Sequence, residues 1–469
     1  MTSYTIFLYF YVLAQQHYLK IIAFIHKKPT AMKTKKILLP ALAIIALPTL
    51  MLQSCKDKHI ETRTFTANVP IYKSYDQMRT EVGSKETQPL KNPGKIYVFG
   101  SYILVNEFHK GIHVINNQDP YNPQNIGFLN IPGNVDISVK GNILYADSYT
   151  DLVAIDISDP KNIKETKRVK DVLQYSVPKY DERYPLAKID ETRGVIAGWE
   201  IKEVTETCLN EECGSFRFNE NGMLVSETQN GGFGATQGGN ARNATVEVGG
   251  SMSRFAIKED CLYVISSVSD LKVFDISNTS SPSVSSAVMV SSWNTIETTF
   301  VYEDHLFIGA QNGMFIYDIS SCTPEYVSQF EHAEACDPVV VYDNYAYVSL
   351  NSQGPCGGWQ NQVDVVDISD ISNPNWTTTI QMDHPKGLSI DPNNNVLFVC
   401  DGESGLKMYD ISNVDNSSWS YLSQVSGVDA YDAILLFDRL MLIGDDGLYQ
   451  YTYTDVDNIT QISVIPIEG

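Results

Sequence analysis

Residues 254–290 read RFAIKEDCLYVISSVSDLKVFDISNTSSPSVSSAVMV, and the punctuation of this stretch decides the fold. Runs at 254–258, 261–266, 271–276 and 283–290 are rich in β-branched and aromatic residues, which suit a pleated, half-buried surface. Between them lie Glu259-Asp260 and clusters of Ser, Asn and Pro, the residues that turn a chain. No convincing long amphipathic helical stretch interrupts them. One unit is therefore expected to be a meander of four short antiparallel strands.

Working outward, the third run of the unit recurs along the chain. Its copies are GIHVINNQDP from Gly111, DLVAIDISDP from Asp151, GMFIYDISSCTP from Gly313, VDVVDISDISNP from Val363 and GLKMYDISN from Gly405, with a worn GLYQYTYTD from Gly447. Neighbouring copies are mostly about 40–45 residues apart, the period of four-stranded propeller blades. Units start near residues 95, 134, 254, 297, 338, 387 and 430. The gap between Asp156 and Asp275 spans about three periods, so a hidden unit is expected there. Its first hairpin is read at 186–200 (LAKIDETRGVIAGWE), ahead of an insertion at about 201–250 that carries GGFGATQGGN from Gly231. The expected fold is all-β: a single β-propeller over 95–469 with about eight four-stranded blades, or seven if the third unit is not a true blade.

The phrase apolar-Val-x-Val-Asp-Ile-Ser-Asp-Pro resembles the LVIVD repeat of bacterial and archaeal surface proteins, over roughly residues 95–466. The resemblance implies a β-propeller outside the cytoplasm and names no biochemical role. The glycine-rich insertion and the loss of Asp-Ile-Ser in the last copy depart from it.

Residues 32–54, MKTKKILLPALAIIALPTLMLQS, pair a basic start (Lys33, Lys35, Lys36) with an apolar run at 37–52. That run is shorter than the roughly twenty residues a spanning helix needs, so it reads as a removable signal peptide. Leu52-Gln53-Ser54-Cys55 resembles a lipobox, with Cys55 as the expected lipidation site and a membrane lipid anchor as the expected attachment. Residues 1–31 fit badly ahead of such a signal, and translation is expected to begin at Met32. Residues 55–94, with Pro70, Pro89 and Pro93, read as an extended linker from the anchor. The expected location is the cell envelope, at the outer membrane on its periplasmic or surface side. A formal net charge of -22 argues against binding nucleic acid.

The repeat sorts the loops onto two faces. Asp156, Asp275, Asp318, Asp367 and Asp410 recur at the end of the third strand, so a structural role is expected, an Asx-type bond capping the next turn. The opposite face carries non-repeated polar residues on the loops after second strands and on the links between blades. Those after second strands are His109, Asp147, Asp151, Asp401, Glu403, Asp445 and Asp446; those on blade links are Asp136, His332 and His384. Polar loops on a rigid scaffold are where binding usually resides, and this is the expected binding face, for an envelope protein, a glycan or a cation. Carboxylates converging on a central channel would suit Ca²⁺ through oxygen ligands.

Seven cysteines besides Cys55 remain, and disulfides are permitted outside the cytoplasm. Cys336–Cys356 and Cys208–Cys213 are feasible pairs, whereas Cys322 and Cys336 lie across a strand from one another. Cys261 and Cys400 read as buried strand residues. There is no H-E-x-x-H, G-x-S-x-G or Walker A motif. The leading expectation is a non-enzymatic binding protein. The alternative is a propeller-fold hydrolase or lyase with carboxylates at the central channel.

Overall fold

The computed structural model describes residues 60–209, 217–218, 224–225, 247–249, 251–292, 295–332, 338–352, 360–414 and 420–468. The leader with Cys55, the glycine-rich run, Cys213, Cys336 and Cys356 lie outside the described residues, as does the Cys208 side chain.

Seven four-stranded antiparallel meanders follow one another in sequence and form a single β-propeller. Blade 1 comprises Pro93–Phe99, Tyr102–Glu107, Gly111–Asn116 and Gln124–Asn130. Blade 3 comprises Phe255–Lys258, Cys261–Ile265, Asp270–Asp275 and Ser283–Met289, within a residue or so of the strands read from the sequence. Blades 2, 4, 5, 6 and 7 occupy 137–169, 296–331, 339–381, 388–425 and 430–466.

The core lies between blades. Each apolar cluster of the ring draws on neighbouring sheets: Leu104 and Val114 meet Leu144 and Val153 between blades 1 and 2, and Tyr145 meets Leu262 and Phe274 between blades 2 and 3. The last interface closes the ring, with Ile96, Ile103 and Val105 of blade 1 against Ile434, Met441 and Ile443 of blade 7. Among the described residues no strand is exchanged there. The seam is tied instead by reciprocal amide bonds between Asn117 and Gln450 (2.9 and 2.8 Å) and by Glu468 N–H donating to Leu90 O (2.7 Å). A blade cannot bury both faces alone, which is why the unit must repeat.

Every blade carries an irregularity in the register between its third and fourth strands, for example between Val273 and Phe274 and between Val365 and Val366. Such bulges twist the outer strand, and a twisted edge pairs poorly with another chain. The Asp-Ile-Ser acids sit at this corner. Asp156, Asp275, Asp318, Asp367 and Asp410 each accept the backbone N–H of the serine two residues on, at 2.8–2.9 Å. Asn116 does the same for Gln118 N–H at 3.0 Å.

Three expectations are refined or corrected. Of the two blade counts expected, seven holds: among the described residues there is no eighth blade, and the run at 186–200 is not a blade hairpin, because Val195–Leu209 pairs with Ile60–Lys73 in a two-stranded ribbon. Residues 60–94 are not simply an extended linker. They hold that ribbon strand, a capped helix Tyr75–Thr80 and Gly83–Lys85, which adds to the outer edge of blade 1. Ala67, Met78 and Leu90 are buried, and that burial orders the segment. Cys261 is the buried strand residue expected, but it is not a free thiol. It is bonded to Cys322, Cα–Cα 5.7 Å, joining the start of the second strand of blade 3 to the third-to-fourth turn of blade 4. Cys400 is buried and free.

The channel is threaded by the chain's own insertion. Glu247–Gly249 pairs with Pro93–Phe99 on the axial side of blade 1. Ser251 N–H and Oγ both donate to Asp432 Oδ1 of blade 7 (3.1 and 2.9 Å), and Ser251 Oγ accepts Leu388 N–H of blade 6 (2.6 Å). Ser253 Oγ donates to Asp136 of blade 2 (3.2 Å), while its carbonyl accepts Thr299 N–H of blade 4 (3.1 Å). One short segment thus holds five blades across the axis before starting the third.

Candidate functional site

Asp147 ends the second strand of blade 2, and its Oδ1 accepts Asn134 Nδ2–H and the N–H groups of Val135 and Asp136 (2.8–2.9 Å). Asp401 follows the second strand of blade 6 and accepts the N–H groups of Asp383 and His384 (3.0 and 2.7 Å) and the Lys407 ammonium. Glu107 of blade 1 accepts from Lys91 and Asn92 N–H (3.1 and 3.2 Å). In three blades, then, a carboxylate at the end of the second strand or just beyond it holds the link that enters the same blade. Burial pushes the Asp147 carboxyl up, against the pull of those N–H groups. Burial also opposes ionisation of Glu107, but His113 and Lys110 overcome it and hold the group at about 2.

Asp136 is buried and accepts Lys95 Nζ (2.7 Å), Ser253 Oγ, Ile137 N–H (2.7 Å) and Arg254 N–H. Asp151 is buried between Arg79, which reaches it through two nitrogens (2.7 and 2.9 Å), and Arg168 (3.3 Å). Glu403, Asp445 and Asp446 are exposed, and Asp446 accepts Tyr449 Oη–H (2.8 Å). His384 lies against the Asp401 loop, and the half-buried His332 lies beside Phe330 at the end of blade 4. The acids of this face therefore do not converge. Among the described residues no group of three or more His, Cys, Asp or Glu side chains is placed to hold a metal ion.

What does converge is material outside the repeat. The helix Tyr75–Thr80 and residues 171–196 lie over blades 2 and 3 and bound a cleft of about 470 Å³. Its floor is apolar, with Leu173, Val177 and Ile196 buried. Tyr75 and Tyr175 supply aromatic walls, and Asp171, Glu191 and Asp270 supply carboxylates. Gly194 closes one side at φ 113°, where a Cβ would lie 2.2 Å from Lys73 O, so no other residue fits. Sequence reading missed these residues. For Tyr75 and residues 173–196 the one signal was that they belong to no copy of the repeat, whereas Asp270 opens the third strand of blade 3.

His109 supports the cleft from behind. It sits at φ 63°, stacks on Phe108 (4.1 Å) and bonds Ser176 Oγ through Nε2 (2.9 Å). Burial lowers its pKa to about 4. A base with a depressed folded pKa stabilises the fold above its unfolded value, and that support is lost as pH falls from about 6.5 toward 4. The expected loss is of order 2–3 kcal/mol across that window. His109→Gln should flatten the dependence of melting temperature on pH between 7 and 4, whereas an unchanged slope would assign the acid sensitivity elsewhere.

With the geometry in place, comparison with known proteins adds a match to the repeat. The LVIVD repeat family model matches residues 133–171, 249–290, 299–324 and 334–380. The chain carries LVIVD repeats. They fall on blades 2 to 5, the copies nearest the shared phrase. No curated protein sequence matches the chain. Among solved structures it is similar to a candidate 6-phosphogluconolactonase from Bacteroides uniformis, at 10% identity and TM-score 0.49 over 81% of this chain and 99% of that one. It is also similar to Sqt1 from Saccharomyces cerevisiae, at 9% identity and TM-score 0.46 over 86% and 89%, and to BamB from Moraxella catarrhalis, at 10% identity and TM-score 0.41 over 78% and 97%.

Proposed function

We propose that this LVIVD-repeat propeller is a lipid-anchored, non-enzymatic binding protein of the bacterial cell envelope, which holds its partner in the cleft over blades 2 and 3. The lipobox at Cys55 and the basic, apolar leader support the anchor. One observation carries the binding reading. The non-repeated segments, which the scaffold does not need, come together at that cleft and build a mixed apolar and acidic wall. The hydrolase or lyase alternative needs free carboxylates on an open axis. Instead, Asp136 and Asp432 accept hydrogen bonds from the segment that threads the channel.

Ala287, exposed on the outer strand of blade 3, lines the cleft, so Ala287→Trp fills it without touching the core. Envelope fractions passed over the immobilised wild-type chain should yield a retained component that the Ala287→Trp chain loses. Equal retention by both would refute the cleft as the binding site.

A further inference from the structure

We infer that the cleft receives a long cationic side chain, an aliphatic stem ending in an ammonium or guanidinium group, presented by an extended basic polypeptide. This rests on the cleft being the binding site and names its ligand class.

The cavity comes first. About 470 Å³ is room for one or two side chains and too little for a folded domain. Its floor of Leu173, Val177 and Ile196 would cover a methylene stem, as Lys and Arg stems cover apolar surface elsewhere. Its mouth carries Asp171, Glu191 and Asp270. Among the described residues neither Glu191 nor Asp270 forms an ion pair, and Asp270 Oδ2 takes only the hydroxyls of Ser267 (2.6 Å) and Ser269 (3.0 Å).

The cations nearby are already committed. Lys272 Nζ donates to Val172 O (2.5 Å). Arg79 is held by Asp151 and by Asp171 Oδ1 (2.8 Å). Arg79 also shows the chemistry in miniature: its guanidinium lies 5.2 Å from the centre of the Tyr75 ring while it bonds a cleft carboxylate. An incoming cation would meet the remaining members of the lining, Tyr175 with Glu191 and Asp270. An anionic ligand would meet like charge here and across a chain of net charge -22.

The test uses the mature full-length chain at low salt. The probes are a capped heptapeptide alternating Lys and Leu, its Glu and Leu counterpart, and 1,6-diaminohexane, with binding read by calorimetry. The Lys peptide should bind and the Glu peptide should not. The double variant Glu191→Gln, Asp270→Asn should weaken binding about tenfold, with Ala287→Trp abolishing it. Equal binding of the two peptides, or full binding by the double variant, overturns the cationic class even if Ala287→Trp still blocks the envelope component. Diaminohexane binding as tightly as the Lys peptide overturns the polypeptide source. An envelope component that Ala287→Trp still retains overturns the site itself, and with it the proposed function.

Discussion

Asp136→Ala is expected to destabilise the folded chain by about 3–5 kcal/mol, far more than loss of an exposed acid on the same face. The carboxylate is 1% exposed and serves two blades and the threading segment at once. From blade 1 it takes Lys95; from the threading segment it takes Ser253 Oγ and Arg254 N–H; in its own blade it takes Ile137 N–H. Burial already depresses the Lys95 ammonium, and Asp136 pulls it back up. Arg254 is buried too, with Asp147 and Asp136 as its counter-charges. Removing Asp136 leaves two enclosed cations short of compensation, and breaking a buried pair from one side is the costly case. Asp136→Asn keeps an acceptor for the N–H groups but loses the charge, so it should fall between the two. Urea midpoints for these variants and for Asp446→Ala check the order. Equal midpoints for Asp136→Ala and Asp446→Ala would mean that the threaded channel contributes nothing to closing the ring.

The blades could be read from sequence because their strands must repeat the same burial seven times. The strands of blade 3 and the Asx acids came directly from one phrase, since the same turn needs the same residue each time. The blade count did not. A run such as 186–200 is apolar and strand-like whether its partner is the next strand or Ile60–Lys73 far upstream, and periodicity is silent about partners. The loop-holding role of Glu107, Asp147 and Asp401 was hidden for a related reason. The three share a place at the end of the second strand but have different neighbours in sequence, so Asp147 and Asp401 looked unrepeated and therefore functional. The Cys261–Cys322 bond was within reach. First-to-second and third-to-fourth turns share a face, and that rule, used to separate Cys322 from Cys336, also brings Cys322 to Cys261. The cleft was not within reach, because it exists only once residues 60–82 and 171–196 fold back over blades 2 and 3.

That folding back depends on Arg79, and Arg79→Ala is expected to release the roof while leaving the ring intact. The helix Tyr75–Thr80 has six residues and a capping box between Ser74 and Gln77, too few for a helix to persist unaided. It is fixed by Met78, fully buried beneath it, and by the Arg79 guanidinium between Asp151 of blade 2 and Asp171 at the cleft. Burial of Asp151 works against its charge, yet Arg79, Asp171 N–H and Arg168 hold the carboxyl below its usual range. Without Arg79 only Arg168 at 3.3 Å remains as a counter-charge for a side chain with no exposure. Charge-assisted bonds of this kind contribute about 1.5–3 kcal/mol each, and here at least two go, which exceeds what a short helix can replace. The cost should be local. Hydrogen exchange should speed up by two orders of magnitude or more in residues 74–82 and 171–196, with the inner strands of the blades unchanged. Arg79→Lys keeps a charge but cannot span both carboxylates, so it should give an intermediate rate. Loss of protection spread evenly over all seven blades would instead make Arg79 part of the ring, and the roof could no longer be treated as a separate element built on the scaffold to form a site.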